Sequence, residues 1–221
     1  MSQQRPERPQ NKLVAADADG LRYAMLALER GELVAFPTDT VYALACAATV
    51  PAAIERFYGA KRRPAGQPAI LLSHNVGTLQ HWVKFRPRAL ELAARHWPGP
   101  LTLVLPVNRG AVARLATGAR DALARIASEG TMAVRIPAHE TAQQVLWSWG
   151  QPLCTSSANR AGGAPPRTGR EVVEALGDAV AVVLDGDCPI GQASSILDLA
   201  RRPPRVIREG AIAAEELLPE R

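Results

Sequence analysis

Leu33-Val34-Ala35-Phe36-Pro37-Thr38-Asp39-Thr40-Val41-Tyr42-Ala43-Leu44 is the stretch that orders the rest of the chain. Its first four residues are apolar and strand-sized, so they read as a short buried strand. Pro37 ends that strand, because proline has no N–H to give a sheet neighbour. Two hydroxyls and a carboxylate follow at Thr38, Asp39 and Thr40 before the chain turns apolar again. Locally, Thr38 or Asp39 reads as a helix N-cap. Chemically, polar groups at a strand end lie where open α/β sheets form ligand crevices.

Moving outward, Asp19 to Arg30 has Leu21, Met25 and Leu28 on one helical stripe, with Gly31 as its stop. On the other side, Pro51 to Ala60 reads as a helix with proline in its first turn. The alternation continues along the chain. Strands are predicted at Ala69–Leu72, Leu101–Leu105, Thr131–Ile136 and Pro152–Thr155, then at Val180–Leu184, Ser195–Leu199 and Arg205–Ile207. Helices are predicted at Val76–Val83, Pro87–His96, His139–Trp149 and Gly169–Leu176. Gly110 to Glu129 is Ala- and Arg-rich and reads as helical in part. Strands alternating with helices imply an α/β domain. No repeat or Gly/Ser linker divides the chain, so residues 13–221 are expected to form a single domain behind a disordered leader, residues 1–12.

Composition narrows the classes. The 221 residues are 47% hydrophobic, which excludes a wholly disordered chain. A membrane-spanning helix needs roughly 18 apolar residues. The longest clean run, Ala179 to Leu184, is strand-sized, so no membrane role is expected. Lys plus Arg is 26 and Asp plus Glu is 21, a net charge of +5 that suits phosphates on a nucleotide or a nucleic acid. Cys46, Cys154 and Cys188 are odd in number and widely spaced, which points to a reducing compartment rather than a disulfide framework. The N-terminus lacks the apolar core of a signal peptide, so a cytoplasmic protein is expected. No Cys/His cluster has zinc spacing, and no protein metal site is expected.

Familiar chemistry is missing. The chain has no G-x-x-x-x-G-K-[ST], no G-x-G-x-x-G, no G-x-S-x-G and no H-E-x-x-H. Three further polar clusters sit at element ends. Lys61-Arg62-Arg63-Pro64 follows a helix; it is either a favourable cationic helix terminus or a phosphate clamp, and is expected to be exposed. Thr155-Ser156-Ser157-Ala158-Asn159 is either an ordinary turn or an anion-binding nest. In Met132-Ala133-Val134-Arg135-Ile136, strand alternation puts Ala133 and Arg135 on the face opposite Met132, Val134 and Ile136. Arg135 therefore need not be buried, and reads as exposed sheet or as a seat for a ligand carboxylate.

In this order, the blocks Phe36-Pro37-Thr38-Asp39-Thr40-Val41-Tyr42, Lys61-x-Arg63-Pro64, Trp97-Pro98-Gly99-Pro100-Leu101-Thr102, Ala133-Val134-Arg135-Ile136-Pro137, Ser157-Ala158-Asn159 and Arg208-x-Gly210 resemble the YrdC/TsaC family of threonylcarbamoyl-AMP synthases. The likeness runs from about Ala18 to Ile212. It implies a YrdC-like α/β fold: an open, twisted mixed sheet flanked by helices around a positively charged concavity. It also implies the short form of the family. The substrates implied are L-threonine, bicarbonate and ATP, with Mg²⁺ accompanying the ATP. The products are threonylcarbamoyl-AMP and pyrophosphate, for use by the tRNA threonylcarbamoyl-transfer machinery. Carried over, Lys61, Arg63, Thr131, Ser157, Asn159 and Arg208 bind ATP, and Thr40, Arg135 and Ser195 bind threonine. No residue is a covalent nucleophile. Carbamate attack on a phosphate needs positioning, charge neutralisation and a dry site instead.

The chain departs from the family pattern in places, and Gly110 to Glu129, longer than is typical of the family, is expected to be a surface insertion. Ala43 and Arg62 stand where relatives carry glycine, and Leu72 where some carry histidine, with His74 two residues later. Asn159 to Thr168, rich in Gly and Pro, is the candidate lid. Two other readings fit the residues. One is a YrdC-like paralogue of different activity. The other is a non-catalytic double-stranded RNA-binding protein, which the +5 charge suits and for which an aromatic content of 5% offers no stacking platform.

Overall fold

Short apolar runs bounded by turns can bury both faces only inside a sheet with neighbours on each side. The computed structural model, which describes Pro9 and residues 11–62 and 67–218, places them in one ten-stranded mixed sheet. In chain order the elements are β1 (Leu13–Val14), α1 (Ala18–Glu29), β2 (Val34–Phe36), β3 (Ala43–Ala47), α2 (Pro51–Lys61) and β4 (Ile70–Leu72). Then come α3 (Val76–Gln80), α4 (Pro87–His96), β5 (Leu101–Pro106), α5 (Arg109–Val112), α6 (Thr117–Ile126) and β6 (Thr131–Arg135). The last are α7 (Glu140–Trp149), β7 (Leu153–Ser157), α8 (Gly169–Leu176), β8 (Val182–Leu184), β9 (Ser195–Asp198), β10 (Arg205–Arg208) and α9 (Ala214–Leu217). The strand order is β1-β8-β2-β3-β7-β4-β6-β5-β9-β10.

The predicted α/β alternation stands, with two added strands and a short added helix, α9. Ala43 to Ala47 forms β3, antiparallel to both β2 and β7, so no helix follows Thr38 or Asp39 and neither residue is an N-cap. Leu13–Val14 adds a two-residue strand parallel to β8. Of the expected leader, Pro9, Asn11 and Lys12 fall within the described residues. Lys12 is anchored: its Nζ donates to Gly177 O at 3.1 Å and pairs with Asp178 at 2.5 Å.

Each face of the sheet has its own apolar layer. On one, α1 and α7 place Ala24, Ala27, Leu28, Ala142, Val145 and Leu146 against Val34, Phe36, Leu153 and Leu184. On the other, α2, α4, α6 and α8 cover Leu44, Leu71, Leu103 and Val134. Full burial of one such Leu, Ile or Phe contributes about 1.5–3 kcal/mol. The 110–129 segment is not a surface insertion, because α6 packs on α2 and buries Ala122, Leu123 and Ile126. α1 and α7 cover only part of their face. Beyond them Ile70, Val104, Ala133, Ile196 and Ile207 floor an open concavity of about 840 Å³.

Candidate functional site

Alternation in β6 decides what faces the concavity. Met132 and Val134 enter the covered core, so Thr131, Ala133 and Arg135 face the opening. Arg135 is 5% exposed, so burial replaces the exposed-sheet reading. Its Nε donates to Gly99 O at 2.9 Å, Nη1 to Thr40 Oγ1 at 2.8 Å and Nη2 to Asp39 Oδ1 at 2.6 Å. Burial pushes the guanidinium below its ordinary range, and the adjacent Asp39 opposes that shift. Asp39 Oδ1 also accepts from Ala138 N at 3.0 Å, while Oδ2 is buried without a partner.

The β2–β3 turn carries the hydroxyls that extend this network. Thr38 Oγ1 donates to Val41 O at 2.7 Å, so the 2.9 Å contact between Thr38 and Thr40 runs from Thr40 to Thr38. The direction of the chain is thus fixed: Arg135 to Thr40 to Thr38 to Val41 O. Gly99, whose carbonyl Arg135 reaches, has no room for a side chain, because a Cβ there would run into His96 O. Tyr42, wholly buried, anchors the same turn by donating to Gly186 O at 2.7 Å. Burial, with Asp185 next, raises its phenol well above the usual range.

A second group comes from α2 and β7. Lys61 is 4% exposed, which corrects the expectation of exposure at that position, whereas Arg62 is exposed as expected. Arg62, at φ 50° and ψ 42°, ends α2 in the left-handed region and turns the chain away just behind it. Lys61 Nζ reaches across to donate to Ser157 O at 2.5 Å and Asn159 O at 2.6 Å. The ammonium therefore shapes the Ser157–Asn159 turn from within. Asn159 donates through Nδ2 to Arg160 O at 2.9 Å and Gly163 O at 2.6 Å, leaving a buried, unpartnered Oδ1 acceptor on the concavity wall. Arg63 lies outside the described residues. Of the candidate lid, Ala161, Gly162 and Pro165 line the opening.

The third group comes from β9 and β10. Arg208 donates through Nε and Nη2 to Ser194 O at 3.0 and 2.8 Å. Burial and then Arg135 lower its pKa, which marks two cations close enough to repel. Thr40, Lys61, Thr131, Arg135, Ser157, Asn159 and Arg208 thus line one concavity. Ser195 does not. It is wholly buried, and its Oγ donates to Ile212 O at 2.6 Å and accepts from Gly210 N and Ile212 N at 2.9 Å. Ser194, one residue earlier, faces the opening instead. Gly210 fits this clasp because a Cβ would meet Ala193 O at 2.2 Å. Ser194 and the rim residues Glu129 and Arg201 carry no site role in the sequence reading, and Asp39 appears there only as a member of the polar cluster after β2. Asp39 had a visible signal, a carboxylate between two hydroxyls at a strand end.

Three cations and a row of hydroxyls around a half-open cavity can hold a polyanion and a carboxylate together. Among the described residues, no group of three or more His, Cys, Asp or Glu could cage a metal, and no helix is long and apolar enough to cross a membrane.

The chain is 38% identical over 199 residues to the threonylcarbamoyl-AMP synthase of Pyrococcus abyssi, covering 89% of this chain and 56% of that protein. It is 35% identical to the threonylcarbamoyl-AMP synthase of Xanthomonas axonopodis pv. citri, covering 87% of this chain and 99% of that protein. A crystal structure of P. abyssi Sua5 complexed with L-threonine superposes with a TM-score of 0.78 at 35% identity, over 89% of this chain and 56% of that one. The Sua5/YciO/YrdC family model, described as telomere recombination, matches residues 26–210. From the Thr40–Arg135 corner to the Arg208–Gly210 clasp, the site falls within that match, and the chain belongs to the Sua5/YciO/YrdC family.

Proposed function

We propose that this chain is a threonylcarbamoyl-AMP synthase. Threonine's amine and bicarbonate give a carbamate and water. A carbamate oxygen then attacks the α-phosphorus of ATP, and pyrophosphate leaves. The observation that carries the reading is the single concavity that joins the Arg135–Thr40 corner to the Lys61-held Ser157–Asn159 turn and Arg208. The Xanthomonas relative, covered over 99% of its length, supports it by name.

In this reading Arg135 takes the threonine carboxylate, with Thr40 beside it. Ser157, Asn159, Thr131 and Arg208 face the nucleotide, and a nucleotide-binding role for Arg63, outside the described residues, rests on the family resemblance alone. Lys61 serves through the turn whose carbonyls it holds. Ser195 serves by clasping residues 210–212. No protein nucleophile is required, because positioned cations neutralise the leaving pyrophosphate; a labile mixed anhydride survives there once the bound substrates fill the concavity and displace its water. Mg²⁺ enters with the triphosphate as part of the substrate. The product feeds the tRNA threonylcarbamoyl-transfer machinery of the cytoplasm. Arg201, Arg202 and Arg205, all exposed, offer a face for tRNA or for that machinery.

The test is pyrophosphate release by the protein with ATP and bicarbonate, with and without L-threonine. Threonine-dependent release is expected. None, alongside salt-sensitive binding of double-stranded RNA, overturns the reading in favour of an RNA-binding protein.

A further inference from the structure

Arg135 is neutralised before any substrate arrives. Its side chain is 6% exposed and that of Asp39 4%, with 2.6 Å between Nη2 and Oδ1. Asp39 does not line the concavity, whereas Arg135 does. A guanidinium carries five N–H groups. Nε spends one on Gly99 O, and Nη1 and Nη2 spend one each on Thr40 and Asp39. One N–H on each Nη remains, enough for a two-point grip on a carboxylate.

The charge count then becomes selective. A ligand carboxylate on this fork is a second anion on one guanidinium, in a place where little water screens their repulsion. An α-amino acid brings the missing positive charge on its own ammonium. The hydroxy acid of the same skeleton does not. Asp39 Oδ2, buried and unpartnered, adds to the negative potential at this corner. Lys61 and Arg208, the other cations of the concavity, favour the net negative hydroxy acid over the neutral zwitterion, so the preference for the amino acid falls to Asp39, 2.6 Å from the fork.

We propose that Asp39 is a positioning residue that fixes the Arg135 fork and sets the substrate class of this corner, zwitterionic α-amino acids over the corresponding hydroxy acids. The inference rests on the synthase reading, in which Arg135 seats the threonine carboxylate.

Calorimetric binding of L-threonine and of 2,3-dihydroxybutanoate, its hydroxy analogue, to wild-type and Asp39→Asn protein tests it. Wild-type protein is expected to prefer threonine at least about tenfold. Asp39→Asn is expected to shrink that preference by about tenfold, mostly through tighter binding of the analogue. Asp39→Glu, which keeps the charge, is expected to retain the wild-type preference. An unchanged ratio in Asp39→Asn overturns the proposal, as does a parallel loss for both ligands, which is what a merely structural carboxylate would give. Equal binding of the two ligands by wild-type protein overturns it without any variant. An Asp39→Asn protein that does not fold assigns the carboxylate to stability and also overturns it. Threonine-dependent pyrophosphate release by wild-type protein, measured first, separates the two claims. Its absence sinks the synthase reading, whereas its presence with an unchanged ratio sinks only the role of Asp39.

Discussion

The concavity has a dry end and a wet end, and each carries an arginine–carboxylate pair. At the dry end, Arg135 and Asp39 are 6% and 4% exposed and 2.6 Å apart. At the wet end, Arg201 and Glu129 are 67% and 76% exposed and 2.8 Å apart. The distances nearly match, yet the consequences differ because solvent sets the effective dielectric. An exposed pair loses most of its attraction to water and salt. A buried pair keeps its attraction, and loses heavily if either partner is removed. Similar chemistry therefore builds a fixed receptor at one end and an adjustable rim at the other.

Arg135→Ala is the strongest way to break this contrast. It leaves Asp39 buried without a counter-charge and is expected to cost about 3–5 kcal/mol of folding stability, read by urea unfolding. The threonine requirement of any residual activity should rise as well. Stability within about 1 kcal/mol of wild type would mean that water reaches the dry end after all. Lys61→Ala comes next. Two carbonyls lose a charged donor, with an expected cost of about 1.5–3 kcal/mol. The KM for ATP should rise more than that for threonine, because the Ser157–Asn159 turn loses its support. If ATP use stays normal, Lys61 is purely structural.

Ser195→Ala sharpens the comparison from behind the wall. Its Oγ accepts from Gly210 N and Ile212 N, and their loss should cost about 1–3 kcal/mol. The KM for threonine should stay within about twofold when measured well below the melting temperature. A selective rise would return Ser195 to the substrate. Arg201→Ala is expected to change stability by less than about 1 kcal/mol. Its effect should appear in the KM for ATP and should fade as salt is raised. A large, salt-independent effect would place this pair with the dry end.

Much of this molecule can be read from its residues, but unevenly. Long helices with clear stops, such as α1 and α4, and runs such as Leu101–Leu105 follow from periodicity alone. β3 does not, because Ala43-Leu44-Ala45-Cys46-Ala47 has weak intrinsic strand preference. Pairing with β2 and β7 on both sides makes it a strand. Burial of Lys61 is also invisible locally, since the carbonyls that receive it lie about a hundred residues downstream. Alternation puts Arg135 on the face that opens to the concavity, while its depth depends on Gly99 and Asp39 arriving from elsewhere. Which of Ser194 and Ser195 faces the concavity follows from strand parity. Leu197 is a core residue, so Ser195 shares its inward parity, and Ser194, Ile196 and Asp198 share the other.

The strand order has a consequence in time. β2 and β3 are made early, yet β8 and β7, which flank them, are made more than a hundred residues later. Thr40 waits for Arg135, Lys61 for Ser157 and Asn159, and the last cation for β10. A ribosome therefore releases most of this chain before any part of the receptor is complete. Pairings this distant in sequence form slowly. The charged pieces spend that interval in water, where they cost nothing, and enter the dry corner only when their partners arrive together.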